Sequence, residues 1–63
     1  MTKLQESKVT LIKMITVMEE VEENLKGGKI MDGETEMMML QVIRDLITTL
    51  RMMKLQVQIL QNL

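Results

Sequence analysis

The residues best equipped for chemistry in this sequence are carboxylates. Glu19, Glu20, Glu22 and Glu23 crowd into one short run, and Glu19 and Glu23, at i and i+4, would be neighbours on one helix face. Stacked carboxylates of this kind can hold Mg²⁺ between them and a phosphate. The plainer use of such a run is a solvated face that also orients one helix against another. Methionine is the second candidate. Met37-Met38-Met39 and Met52-Met53 offer soft thioether ligands suited to copper(I), or an adaptable surface for a partner helix. Lys3, Lys8, Lys13, Arg51 and Lys54 make a basic patch that a phosphate backbone would need. Gly27-Gly28 and Asp32-Gly33 read as turn residues. No strand precedes them and no G-x-x-x-x-G-K-[ST] follows, and they lack the regular acidic ligands and final Glu of an EF-hand.

What is missing narrows the chemistry further. The chain has no cysteine and no histidine. Disulfides, thiolate nucleophiles, Cys/His zinc sites, Ser-His-Asp triads and His-ligated haem are therefore excluded, and no cofactor is expected. Aromatic residues are also absent, so no platform exists for stacking bases or sugars. A net charge of −1 does not draw the molecule to nucleic acid or to an anionic membrane. The longest uncharged stretches, Met37–Ile43 and Leu55–Leu63, fall far short of the roughly 20 residues that span a bilayer. The opening MTKLQESKVT lacks the apolar region of a secretory signal. A cytoplasmic protein without membrane contact is the expectation.

The elements that must position these residues are helices. The spacing predicts a single helical-hairpin domain over 1–63, with helix 1 at about 3–26, a turn at 27–33 and helix 2 at about 34–62. Thr2 followed by Gln5 reads as a capping box, and Asp32 as the N-cap of the second helix. Glycine at 27 and 28 would end the first helix in the left-handed conformation. In helix 1, Leu4, Leu11, Met18 and Leu25 alternate with Ser7, Met14 and Val21 in an a/d pattern, widened by Ile12 and Ile15. In helix 2 the corresponding stripe is Met39, Ile43, Leu46, Leu50, Met53, Val57 and Leu60. With Leu25 set against Thr35, Lys13 meets Ile47 and Leu4 meets Gln56. The C-terminal turns then outrun helix 1.

Two resemblances follow from these motifs. Glu19-Glu20-x-x-Glu23 resembles the first E-E-x-x-E motif of the MazG-type all-α nucleotide pyrophosphatases, and Asp45 falls at the end of their second motif, E-x-x-D, with Val42 at its partner position. That resemblance implies a four-helix assembly using the glutamates and Mg²⁺. The length, the opening Met1-Thr2-Lys3 and the helical hairpin resemble the Rop-type plasmid copy-control RNA binders. That resemblance implies a dimeric four-helix bundle. The RNA contact made by an aromatic residue in that family has no counterpart here.

Composition favours self-association. A chain this short buries only about 60% of its unfolded surface and usually needs staples or partners. Met, Leu, Ile and Val together make 29 of its 63 residues, with no alanine, more large apolar side chains than one hairpin can cover. Acidic residues gather at the turn end and basic ones at the termini, so two hairpins would pack antiparallel. The expected assembly is an all-α antiparallel homodimer closing into a four-helix bundle, or a tetramer of such hairpins. Its core would be Leu11, Met14, Met18, Ile43, Leu46, Leu50, Met53, Val57 and Leu60. Met38, Met52, Leu55, Ile59 and Leu63 lie off that stripe and are the expected contact with another protein. The leading functional expectation is a small non-enzymatic protein–protein interaction module, an adaptor or regulator of a size that suits a phage or plasmid accessory protein. A metal-dependent pyrophosphatase and an RNA-binding bundle are the alternatives.

Overall fold

The computed structural model describes residues 2–27 and 32–63. They form two helices, α1 (Lys3–Gly27) and α2 (Gly33–Gln61), paired antiparallel as a hairpin with extents of 47 × 17 × 11 Å. Among the described residues there is no strand.

Each helix starts where its first N–H groups find side-chain acceptors. The Gln5 N–H donates to Thr2 Oγ1 and the Thr2 N–H donates to Gln5 Oε1, both at 3.2 Å, a reciprocal capping box. Asp32, extended at φ −69° and ψ 165°, accepts the Thr35 N–H on its carboxylate at 2.7 Å. Glu34 and Glu36 then sit in the first turn of α2, where the helix dipole favours negative charge. At the far end the Asn62 N–H closes onto the carbonyls of Gln58 and Ile59 at 3.2 and 3.1 Å. Gly27 is the last residue of α1, and no described glycine has positive φ, so the left-handed ending expected there is not made at Gly27. The rest of the expected turn, Gly28 to Met31, lies outside the described residues.

Side chains not exposed to solvent trace the seam. In α1 they include Leu4, Lys8, Leu11, Ile15, Met18, Glu22 and Leu25, and in α2 Leu40, Ile43, Ile47, Leu50, Lys54, Val57 and Gln61. Both series alternate steps of three and four, as two helices pairing along one stripe require. The tightest cluster is Leu11, Ile15 and Leu50, with Met18 and Val57 packed against it. The seam corrects the expected phase by one column in each helix. Lys8, Ile15 and Glu22 replace Ser7, Met14 and Val21, while Leu40 and Ile47 replace Met39 and Leu46.

The register also differs from the expected one. Glu22 pairs with Arg44, and Lys8 Nζ donates to Gln58 Oε1. From Glu22, α1 runs five residues on to Gly27, whereas from Arg44, α2 runs eleven back to Gly33. The start of α2 therefore outruns α1 by six residues, about 9 Å at 1.5 Å each. At the other end the last turn of α2 lies beside the first turns of α1, so the expected C-terminal overhang is absent. The overhang belongs to the turn end, and Met37 and Met38 are accordingly among the most exposed side chains.

Candidate functional site

The two long sides of the hairpin have opposite chemistry. On one side Arg44 Nε donates to Glu22 Oε2 and Arg51 Nη2 donates to Glu19 Oε2, each at 2.8 Å, and Lys8 donates to Gln58. Arg44, Arg51 and Gln58 are seven residues apart, so this edge of α2 presents one polar column along its length. The Arg44 guanidinium holds the Glu22 carboxyl below its ordinary value, assisted by the positive charges of Lys26 and Arg51. Exposed ion pairs of this type contribute about 0–1 kcal/mol each, so their main effect is to fix the rotation of one helix on the other.

The opposite side is an apolar groove. Its middle, a hollow of about 630 Å³, is lined by Thr10, Lys13, Met14, Val17, Met18, Leu46, Thr49, Leu50 and Met53. It continues toward the chain ends as a second hollow of about 640 Å³, which shares Thr10 and Met53 and adds Lys3, Glu6, Ser7, Leu11, Gln56, Val57 and Leu60. Leu46 is 47% exposed and Met14 and Met53 are each 46% exposed. α2 thus carries three adjacent apolar columns, and α1 two, with Ile15 the one apolar member of a third that Lys8 and Glu22 share. One is central (Leu11, Met18; Ile43, Leu50, Val57), one joins it in the hairpin seam (Ile15; Leu40, Ile47), and one borders the groove uncovered (Met14, Val21; Met39, Leu46, Met53, Leu60). Among the described residues six apolar side chains are buried and sixteen large ones stay exposed.

The residues expected to form an oligomer core divide along this line. Leu11, Ile43 and Leu50 are buried and Met18 and Val57 half-buried in the hairpin itself, whereas Met14, Leu46, Met53 and Leu60 stand exposed on the groove side. The residues expected to contact another protein, Met38, Met52, Leu55, Ile59 and Leu63, are all exposed. Met52 and Ile59, seven apart, point away from α1 by helical phase, and Leu55 lines a hollow on the polar edge with Lys8, Ile15, Glu19, Arg51, Lys54 and Gln58. Sequence reasoning missed Leu40 and Ile47, which the structure buries.

Glu19, Glu20 and Glu23 border one shallow hollow with Thr16 and Asn24, and Asp45 is not among its lining residues. Glu19 is engaged by Arg51, Glu22 by Arg44, and Glu23 lies 3.8 Å from Lys26. Asp45 accepts from Gln41 on its own helix at 3.0 Å. Among the described residues no three acidic side chains converge on a metal-sized site. The expected basic patch is divided: Lys3 and Lys13 border the groove, while Lys8, Arg51 and Lys54 lie on the polar edge. Among the described residues no helix is long and apolar enough to cross a membrane. Comparison with protein-family models, with curated proteins and with solved structures finds no match to this chain.

Proposed function

We propose that this chain is a non-enzymatic interaction module: a helical hairpin that self-associates into a bundle and docks on another protein as an adaptor or regulator. The observation that carries the reading is the third apolar column. A helix that faces only one partner needs a narrow stripe, whereas a core-facing helix of a bundle needs a wider one, about three positions in seven. α2 has the wider kind, α1 adds Met14 and Val21 beside its central column, and the hairpin leaves that groove-side column uncovered on both helices. None of the described side chains is fully enclosed, so the hairpin alone has a thin core for a chain without staples. Within the Glu19-Glu20-x-x-Glu23 motif, Glu19 is engaged by Arg51 and Glu23 lies against Lys26, which weighs toward binding rather than turnover. The exposed column of Met52 and Ile59, with Leu55 beside it, is the surface for a different protein.

Sedimentation across a wide concentration range tests the proposal. A dimer or larger species at micromolar concentration is expected, with a melting temperature that rises with protein concentration. Leu55→Glu with Ile59→Glu should leave helicity and that species in place. A stably folded monomer at every concentration would refute self-association, and loss of the folded species in the double variant would assign Leu55 and Ile59 to the core.

A further inference from the structure

We infer that the groove side of the hairpin is covered by a second copy of this chain laid antiparallel, the turn end of each copy against the termini of the other. The inference rests on the self-association proposed above and names its surface and direction. Three observations carry it. The first is which side is closed. The polar edge already pairs Glu19 with Arg51 and Glu22 with Arg44, and covering it would strip water from those groups and from Lys8 and Lys54. The groove side offers Met14, Val17, Leu46 and Met53, with Lys13 the one charged residue that lines its middle.

The second observation is size. The broad face spans 47 × 17 Å, a footprint of about 800 Å². That is close to the roughly 800 Å² per partner of a standard stable interface. A single foreign helix, about 10 Å wide, would cover only part of it. The same face on an identical hairpin matches its full length and width, as a two-fold interface requires.

The third observation is charge. Once the internal ion pairs are set aside, the turn end keeps Glu20, Asp32, Glu34 and Glu36, and the terminal end keeps Lys3, Lys8, Lys13 and Lys54 against Glu6. A parallel pair would bring like ends together. An antiparallel pair sets Lys3 and Lys13, which border the groove, toward the acidic end of the partner.

The methionines supply the test, because they are distributed over both sides. In the isolated hairpin Met14 and Met53 are each 46% exposed and Met52 is 60% exposed, so brief, low-dose peroxide should oxidise all three at similar rates. At concentrations where sedimentation shows the assembled species, Met14 and Met53 should slow several-fold relative to Met52, and dilution should abolish the difference. Direction is read on Leu63→Cys, a fully exposed site at the terminal end outside the groove in a chain with no other cysteine, carrying a spin label. Two labels in an antiparallel dimer should lie about 30 Å or more apart, the run of most of α1, against about 20 Å or less in a parallel one. Protection of Met52 in place of Met14 and Met53 would overturn the assigned surface while leaving self-association intact. A short label distance would overturn the direction. A monomer at all concentrations, with the three methionines equally reactive, would remove self-association itself and leave the groove to a helix of another protein.

Discussion

Ile47 and Leu46 are chain neighbours with 4% and 47% of their surface exposed, and the difference separates two kinds of burial. Ile47 packs in the hairpin seam, so Ile47→Ala should cost about 2–5 kcal/mol through lost contacts and a cavity, at any protein concentration. Leu46→Ala should instead weaken assembly, visible as a smaller rise of melting temperature with concentration, while Thr48→Ala should stay within about 0.5 kcal/mol. Equal, concentration-independent losses at 46 and 47 would mean that both belong to the seam. Acid stability is set at the same scale. The folded Glu22 carboxyl is held below its ordinary value of 4.5 by the Arg44 guanidinium, and Asp32 below 3.8 by the Thr35 N–H. Lowered folded values mean that the stabilisation is complete above the ordinary carboxylate range and is lost as pH falls through the folded values. Melting temperature should therefore drop on acidification below about pH 4.5. Glu22→Gln should start lower at pH 7 and fall less, and an unchanged acid slope in that variant would assign the loss to other carboxylates.

The two helices were legible in the sequence because their signals are local. Thr2 with Gln5, and Asp32 before an acidic first turn, cap the helices as their types suggest. The rotation of each helix was not legible, and the reason is physical. The expected stripe takes Met14, Val21, Met53 and Leu60 into the seam, whereas the structure takes Ile15 and Ile47 together with Lys8, Glu22, Lys54 and Gln61, so apolar periodicity alone points to the wrong column. The choice falls to the polar columns: Arg44 and Arg51 reach Glu22 and Glu19 only when the Leu40–Ile47 column turns toward α1. That seven-residue pair of arginines, opposite glutamates, was the available signal. The register went astray for a related reason, since apolar stripes can slide by a turn whereas ion pairs cannot. At the interaction surface, exposure of Met52, Leu55 and Ile59 could be anticipated from spacing, but the groove could not, because it exists only once the seam has been chosen. Element stability offers its own check. Gly33 lies within α2 without positive φ, and a Cβ there would meet nothing within 4 Å. Gly33→Ala should raise stability by about 0.4–1 kcal/mol through the unfolded chain, and a loss of stability would mean that the start of α2 needs a conformation alanine resists.

At the scale of the whole molecule, the hairpin is an elongated object with acidic and basic ends, and its assembly should respond to charge at those ends more than any single pair suggests. Exposed pairs add about 0–1 kcal/mol each, yet like charges facing across a full interface act together against one arrangement. Consider two variants of this chain. In the first, Lys3→Glu and Lys13→Glu make the terminal end acidic like the turn end. In the second, Glu20→Lys and Glu34→Lys make the turn end basic like the terminal end. Each variant alone would place like charges together in an antiparallel pair and should self-associate more weakly than the parent. Mixed, they restore opposite charges at both ends and should form heterodimers in preference to either homodimer, an outcome that native mass spectrometry counts directly. The preference should shrink in about 1 M salt, where the screening length falls to about 3 Å, while the apolar groove continues to hold pairs together. Statistical mixing at low salt would show that end charges do not select the partner, and the direction of packing would then rest on the shape of the groove alone.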